Sequence, residues 1–308
     1  MTTDISSTQN VETDNTKLNA LAWVTILILA VPQIIYRLFV PSIPGEPTYS
    51  ISLACAQAVV LLALWVVTWV WSPVKSLRGF ILVPLAICIG VFLVIPLIKE
   101  TSVWSNWWQQ ASWGASLVVG TLMVHIVQIA LLALTLIGSG IGLRELFLVR
   151  GNLRAPGRPT RLLMMKEPEP WTIIFRNFIV VYIIILLVYW GMQVIAVSPQ
   201  ISQVFIYLPA IVIAAAVNAF GEEFEFRSMP LARLELVFGP GQTIIMAAVM
   251  FGLMHYFGDP GGPIGVLLTG YLGWIAAKSM IETRGMVWAF VIHFVGDFFI
   301  YCFWAMLV

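Results

Sequence analysis

Charge is what this 308-residue sequence has least of. Asp, Glu, Lys and Arg make up 10% of it, against 60% hydrophobic residues. Soluble domains carry about 25% charged residues, so the shortage excludes an ordinary soluble fold and points to a chain that crosses a membrane several times. A basic face is lacking too: the net charge is +1, which argues against nucleic acid as a partner. Cysteine is scarce. Cys55, Cys88 and Cys302 all lie in apolar runs and form no C-x-x-C pair. The odd number excludes a closed disulfide framework and gives no zinc knuckle, leaving three packing residues.

Several hydrolase signatures are also missing. There is no H-E-x-x-H, the helical metalloprotease motif. No G-x-S-G serine motif and no G-x-G-D aspartyl motif occurs, and no glycine loop suited to phosphate. Residues 1–17 are rich in Ser, Thr, Asn and Asp, which reads as a disordered polar tail. They lack a basic n-region, and the apolar run behind them has no small-residue cleavage site, so a signal peptide is not expected.

What is present is a series of apolar runs near the 20 residues a helical span needs. They fall at about 21–40, 51–71, 80–98, 113–137, 173–197, 202–230, 243–257, 264–281 and 286–308. The expected fold is therefore all-α: a polytopic membrane bundle of about eight to nine transmembrane helices. The Trp-rich stretch 101–112, with Trp104, Trp107 and Trp108, reads as an interfacial segment. Residues 143–171 form the longest polar connection and carry Arg144, Arg150, Arg154, Arg158, Arg161 and Lys166. Short basic loops stay cytoplasmic, which places the N-terminus inside as well. The chain divides into the tail 1–17, N-terminal membrane helices 18–171 that include the basic loop, and a membrane core 172–308.

Against that apolar background one stretch stands out, Gly221-Glu222-Glu223-Phe224-Glu225-Phe226-Arg227. A charge within a span costs about 2.5 kcal/mol or more on insertion scales, so a cluster there calls for a function. Glu223 and Arg227 are i, i+4 and suit an ion pair. Glu222 points about 100° away from Glu223, which leaves it unpaired and free to act as a general base. Glu225, three residues on, could lie beside it.

Only three histidines occur. His125 stands alone in the fourth span and reads as structural. His255 follows Phe251 by four residues, and His293 precedes Asp297 by four, so each pair shares a helix face. The His293/Asp297 spacing suits two ligands to one metal or an imidazole oriented by a carboxylate. Counted along the helices, Glu222 and His293 lie on the order of 12 Å from their cytoplasmic ends. His255 lies nearer ~18 Å, if its helix starts at Thr243.

These residues resemble a known family. Glu222-Glu223-x-x-x-Arg227, Phe251-x-x-x-His255 and His293-x-x-x-Asp297, in that order, are similar to the motifs of the CPBP family, the CAAX prenyl proteases and bacteriocin-processing enzymes also called Abi. Gly285-Met286-Val287-Trp288-Ala289 adds to the likeness, which covers about residues 200–305. The resemblance implies an intramembrane endopeptidase of the cell membrane, its site opening to the cytoplasmic leaflet, its substrate a membrane-associated or lipidated protein or peptide. It implies that Glu222 activates a water with help from His255. His293 and residue 297 would hold the carbonyl oxygen, and Glu223 with Arg227 would brace the helix. The prenyl-protease branch usually has Asn at the last position. An ionised Asp297 cannot donate a hydrogen bond, so it would be protonated, orient His293 or join Glu222, His255 and His293 around a divalent metal such as zinc. Two rival functions stand beside it: a catalytically inactive scaffold or bacteriocin-immunity protein of the same fold, and a proton-coupled transporter.

Overall fold

The computed structural model describes residues 5–40, 49–195 and 199–308. Residues 1–4 of the expected tail and the last two positions of the expected fifth span lie outside that set. Eleven α-helices are described: α1 Ile5–Phe39, α2 Ile51–Val70, α3 Arg78–Ile89, α4 Ile95–Glu100, α5 Ser102–Gln110, α6 Trp113–Leu134, α7 Trp171–Ile195, α8 Ile201–Glu223, α9 Met229–Met254, α10 Gly262–Thr283 and α11 Val287–Ala305. Among the described residues, eight helical runs are long and apolar enough to cross a membrane. The molecule is the expected polytopic helical bundle.

α1 starts at Ile5, so it runs back through most of the stretch read as a tail. Its polar residues are poor helix formers. Extending an existing helix adds a hydrogen bond per residue without the nucleation cost, and the apolar run from Asn15 onward supplies that helix. α1 and α2 are joined by buried amides. Gln33 donates to Gln57 Oε1 at 2.7 Å, and Gln57 donates to the Leu29 carbonyl at 2.9 Å. In a medium without water such side chains hold helices together.

The run Ile201–Phe257 holds the sixth and seventh expected spans without a conventional loop. The sequence reading ended the sixth at Pro230. Instead α8 passes through a π-turn, Phe224–Ser228, and α9 carries Pro230 in its first turn, where a missing N–H costs little. The break comes at Gly239, with φ 72° and ψ 173°, before Pro240. Only glycine tolerates that conformation freely. Contacts across the break are symmetric about it: Arg227 over Phe251, Phe226 beside Phe251, Glu222 near His255. The run is therefore a helical hairpin. Glu222 lies 17 residues before Gly239 and His255 lies 16 after it, so the two reach the same depth. This corrects the mismatch of about 6 Å expected when the returning helix was started at Thr243. The return leg ends at His255 in a single 3₁₀ turn, just before the glycine- and proline-rich segment 258–263.

The basic connection is an ordered clip. Its two short strands, Pro156–Gly157 and Glu169–Pro170, pair antiparallel. It is tied to the end of α10 and the start of α11. Lys278 donates to Glu282 and to the Arg158 carbonyl, and Glu282 accepts from the Arg158 amide and from Trp171 Nε1. Trp288 Nε1 donates to the Leu153 carbonyl, and the Asn152 amide to that of Thr283. Arg284 pairs with Glu235 on the outgoing leg of the hairpin, so the clip, the α10–α11 turn and that leg meet at one end of the bundle. One apolar core reaches from Ile26, Leu61 and Phe80 to Phe226 and Phe251 of the hairpin. It joins the N-terminal helices to the segment that carries the charges.

Candidate active site

α8 presents Glu222, the end of the α9 hairpin leg presents His255, and the middle of α11 presents His293 and Asp297. Glu222 Oε2 stands 3.4 Å from His255 Nε2 and 3.4 Å from His293 Nε2. His293 Nε2 is 3.7 Å from Asp297 Oδ2. The four residues singled out in the sequence thus come to one place.

Both imidazoles are fixed from behind. His255 Nδ1 lies 2.9 Å from the Phe251 carbonyl and His293 Nδ1 lies 2.7 Å from Glu223 Oε1. A carbonyl and an ion-paired carboxylate can only accept, so each Nδ1 carries a hydrogen and donates. In the neutral ring each Nε2 is then a lone pair aimed at Glu222. Three acceptors converge, and an O–H or N–H brought between them finds a partner on every side. A water molecule meets that description.

Glu223 is fully buried. Its Oε1 also lies 2.9 Å from Nη2 of Arg227, itself fully buried. The Arg227 guanidinium lies over the Phe251 ring, 3.7 Å from its centroid, so the cation meets an aromatic face as well as a carboxylate. Phe251 in turn lies tilted against His255, with centroids 4.1 Å apart, and meets His293 edge-on at 5.8 Å. Glu223, Arg227 and Phe251 form a bracket that holds both histidines. Glu225, in the π-turn, is 3% exposed, and its Oε1 has no hydrogen-bond partner in the structure. It lines a cavity of about 200 Å³ together with Glu222, Tyr49, His125 and Gln128.

A larger cavity of about 450 Å³ lies on the other side of Glu222. Glu222, His255, His293 and Asp297 occupy its floor, and its walls come from Phe178, Tyr182, Ile185 and Tyr189 of α7 with residues of α10 and α11. The α7 residues recur at three and four positions and form one stripe. Trp304 Nε1 donates to Asp259 Oδ2 at 3.0 Å near one edge.

The donor set bears on a metal. Two imidazole nitrogens and a carboxylate oxygen are ligand types zinc accepts, and 3.4 Å is close to the ~3.3 Å edge of a zinc tetrahedron with bonds near 2.0–2.1 Å. Yet among the described residues no group of three or more His, Cys, Asp or Glu side chains is arranged to hold a metal ion. Asp297 accepts instead from Asn218, whose Nδ2 donates to its Oδ2 at 3.1 Å.

Asn218 is the residue the sequence reading missed. It sits four residues before Glu222, on the same face of α8, and lines both cavities. Its Oδ1 accepts from His125 Nε2 at 3.0 Å, so the histidine read as structural is one side chain removed from Asp297. An amide within the otherwise apolar run 209–220, at i−4 from Glu222, was the available signal.

A multi-pass helical membrane protein with a glutamate, two histidines and an aspartate gathered on the lining of an apolar cavity fits the class of intramembrane hydrolases. Residues 203–299 match the family model described as type II CAAX prenyl endopeptidase Rce1-like. That segment holds every residue of the cluster, so the CAAX-protease resemblance of the motifs is shown by an independent comparison. Neither the curated proteins nor the solved structures give a match.

Proposed function

We propose that the protein is an endopeptidase of the CAAX-protease type that hydrolyses a peptide bond of a lipidated or otherwise membrane-associated protein inside the bilayer. The observation that carries this reading is the meeting of Glu222 Oε2 with two oriented Nε2 atoms, 3.4 Å each, beneath an apolar cavity. Glu222 takes a proton from a water, and the water oxygen attacks the scissile carbonyl carbon. The C=O π pair moves onto oxygen. When the C=O re-forms, the C–N bond breaks and the leaving nitrogen takes the proton back from Glu222, directly or through His255. His293 stays oriented by Glu223 and faces the reacting centre. The aromatic and aliphatic wall of α7 suits a hydrocarbon chain on the substrate. The basic clip 143–171 supports a cytoplasmic N-terminus.

The test is cleavage of a farnesylated fluorogenic peptide ending in Cys-a-a-X by purified protein in nanodiscs. Glu222→Gln should lower kcat by at least 10²-fold, with the melting temperature held. A Glu222→Gln protein as active as wild type would rule out hydrolysis at this site and favour the scaffold or the transporter. Activity lost to a chelator and restored by zinc would favour the metal-assisted version.

A further inference from the structure

Water attack on a carbonyl needs a hydrogen-bond donor for the oxygen that gains charge. The donors expected from the motifs are poorly placed to give one. In their neutral forms His255 and His293 spend their N–H groups on Phe251 and Glu223. Asp297, standing where the prenyl-protease branch usually has Asn, can donate only if protonated. A neutral amide stands beside them. Asn218 lies on the same α8 face as Glu222 and lines the large cavity. Its Oδ1 is taken by His125 Nε2 and one hydrogen of Nδ2 by Asp297, which leaves the second Nδ2 hydrogen unassigned.

The amide orientation is set by its neighbours. Asp297 presents an oxygen, so the nitrogen end of Asn218 faces it, and the oxygen end faces His125. The His125 ring lies so close to α8 that a methyl group on Gly221 would overlap its Nδ1. No donor partner fits there, and Nδ1 makes no hydrogen bond. The proton therefore sits on Nε2, where Asn218 needs a donor. His125 fixes the amide without reaching the large cavity, since it lines only the smaller one.

We infer that Asn218 supplies the amide N–H that binds the scissile carbonyl oxygen, and that His125 is the positioning residue that holds this amide in place. The inference rests on the hydrolytic reading above and adds the donor which that reading lacked. When the π pair moves to oxygen, the Nδ2 hydrogen bond strengthens, and it relaxes when the carbonyl re-forms. No proton is transferred by Asn218. Residue 297 acts on the chemistry through Asn218 and His293, which explains how an Asp can stand there.

The experiment uses the full chain in nanodiscs and the farnesylated Cys-a-a-X peptide. Asn218→Asp and Asn218→Ala should each lower kcat by 10²-fold or more and change KM by less than about threefold. His125→Ala should lower kcat by about 10-fold, and His125→Gln, which keeps an N–H donor, should recover part of that. The double variant His125→Ala/Asn218→Ala should be no slower than Asn218→Ala alone, because one residue acts through the other. Independent, multiplying losses would overturn the positioning role. Asn218→Ala near wild-type kcat, with Tyr182→Phe taking the large loss, would overturn the assignment of the donor. Glu222→Gln, run alongside, separates the two ideas: if it remains active, the hydrolytic reading fails. A folded wild-type protein that leaves the peptide uncut would overturn that reading and this inference together.

Discussion

Two buried ion pairs on i, i+4 spacing sit at different places in this bundle. Glu223–Arg227 is fully buried beside the candidate site, and Lys278–Glu282 lies at one end of α10, its side chains 5% and 7% exposed. Each joins residues one helical turn apart, but their remaining hydrogen bonds go to different places. Glu223 gives its second interaction to His293 Nδ1. Glu282 gives its interactions to the Arg158 amide and to Trp171. The first pair orients a ring of the site, and the second fastens a loop. A buried ion pair is therefore read by what it holds, because the net stabilisation of such pairs against apolar replacements is small.

That contrast can be broken at several points. The largest effect should come from Arg227→Ala, which leaves Glu223 charged and without its partner in the apolar centre. Breaking a buried pair from one side costs about 3–5 kcal/mol, so the purified protein should melt much earlier and cleave nothing. Lys278→Ala should cost about 2–3 kcal/mol by the same mechanism, at the more exposed end of the range. Its marker is different. Trypsin should cut faster within 150–166, while kcat of the folded protein stays within threefold. If Lys278→Ala removed activity without loosening the clip, the division of labour between the pairs would be wrong. Gly221→Ala should be smaller still, about 1–3 kcal/mol for overpacking against His125, read as a lower melting temperature that His125→Ala in the same chain restores in part.

The sequence made the charge cluster legible because the surrounding residues are so apolar. Each unusual side chain in a span had to answer to something, and helical spacing was enough to divide Glu222 from Glu223. The path of the chain between those side chains was less legible. Pro230 looked like a stop, yet a proline in the first turn of a helix ends nothing. The real break, Gly239, depends on a positive φ that a glycine next to a proline permits but does not announce. The clip on 143–171 showed its charge but not its hydrogen bonds, which run to residues more than 100 positions away. The link between Asn218 and His125 escaped for the same reason. A hydrogen bond between α6 and α8 joins residues 93 apart, and no local pattern records it.

The most direct test sets Glu222→Gln beside Glu223→Gln, with kcat on the farnesylated peptide and melting temperature measured for both. Glu222→Gln should melt within a few degrees of wild type and lose at least 10²-fold in kcat. Glu223→Gln should melt well below wild type, because Arg227 keeps its charge without a partner. The opposite pattern, a stable Glu223→Gln and a Glu222→Gln that still cleaves, would contradict the assignment of chemistry to one glutamate and structure to the next.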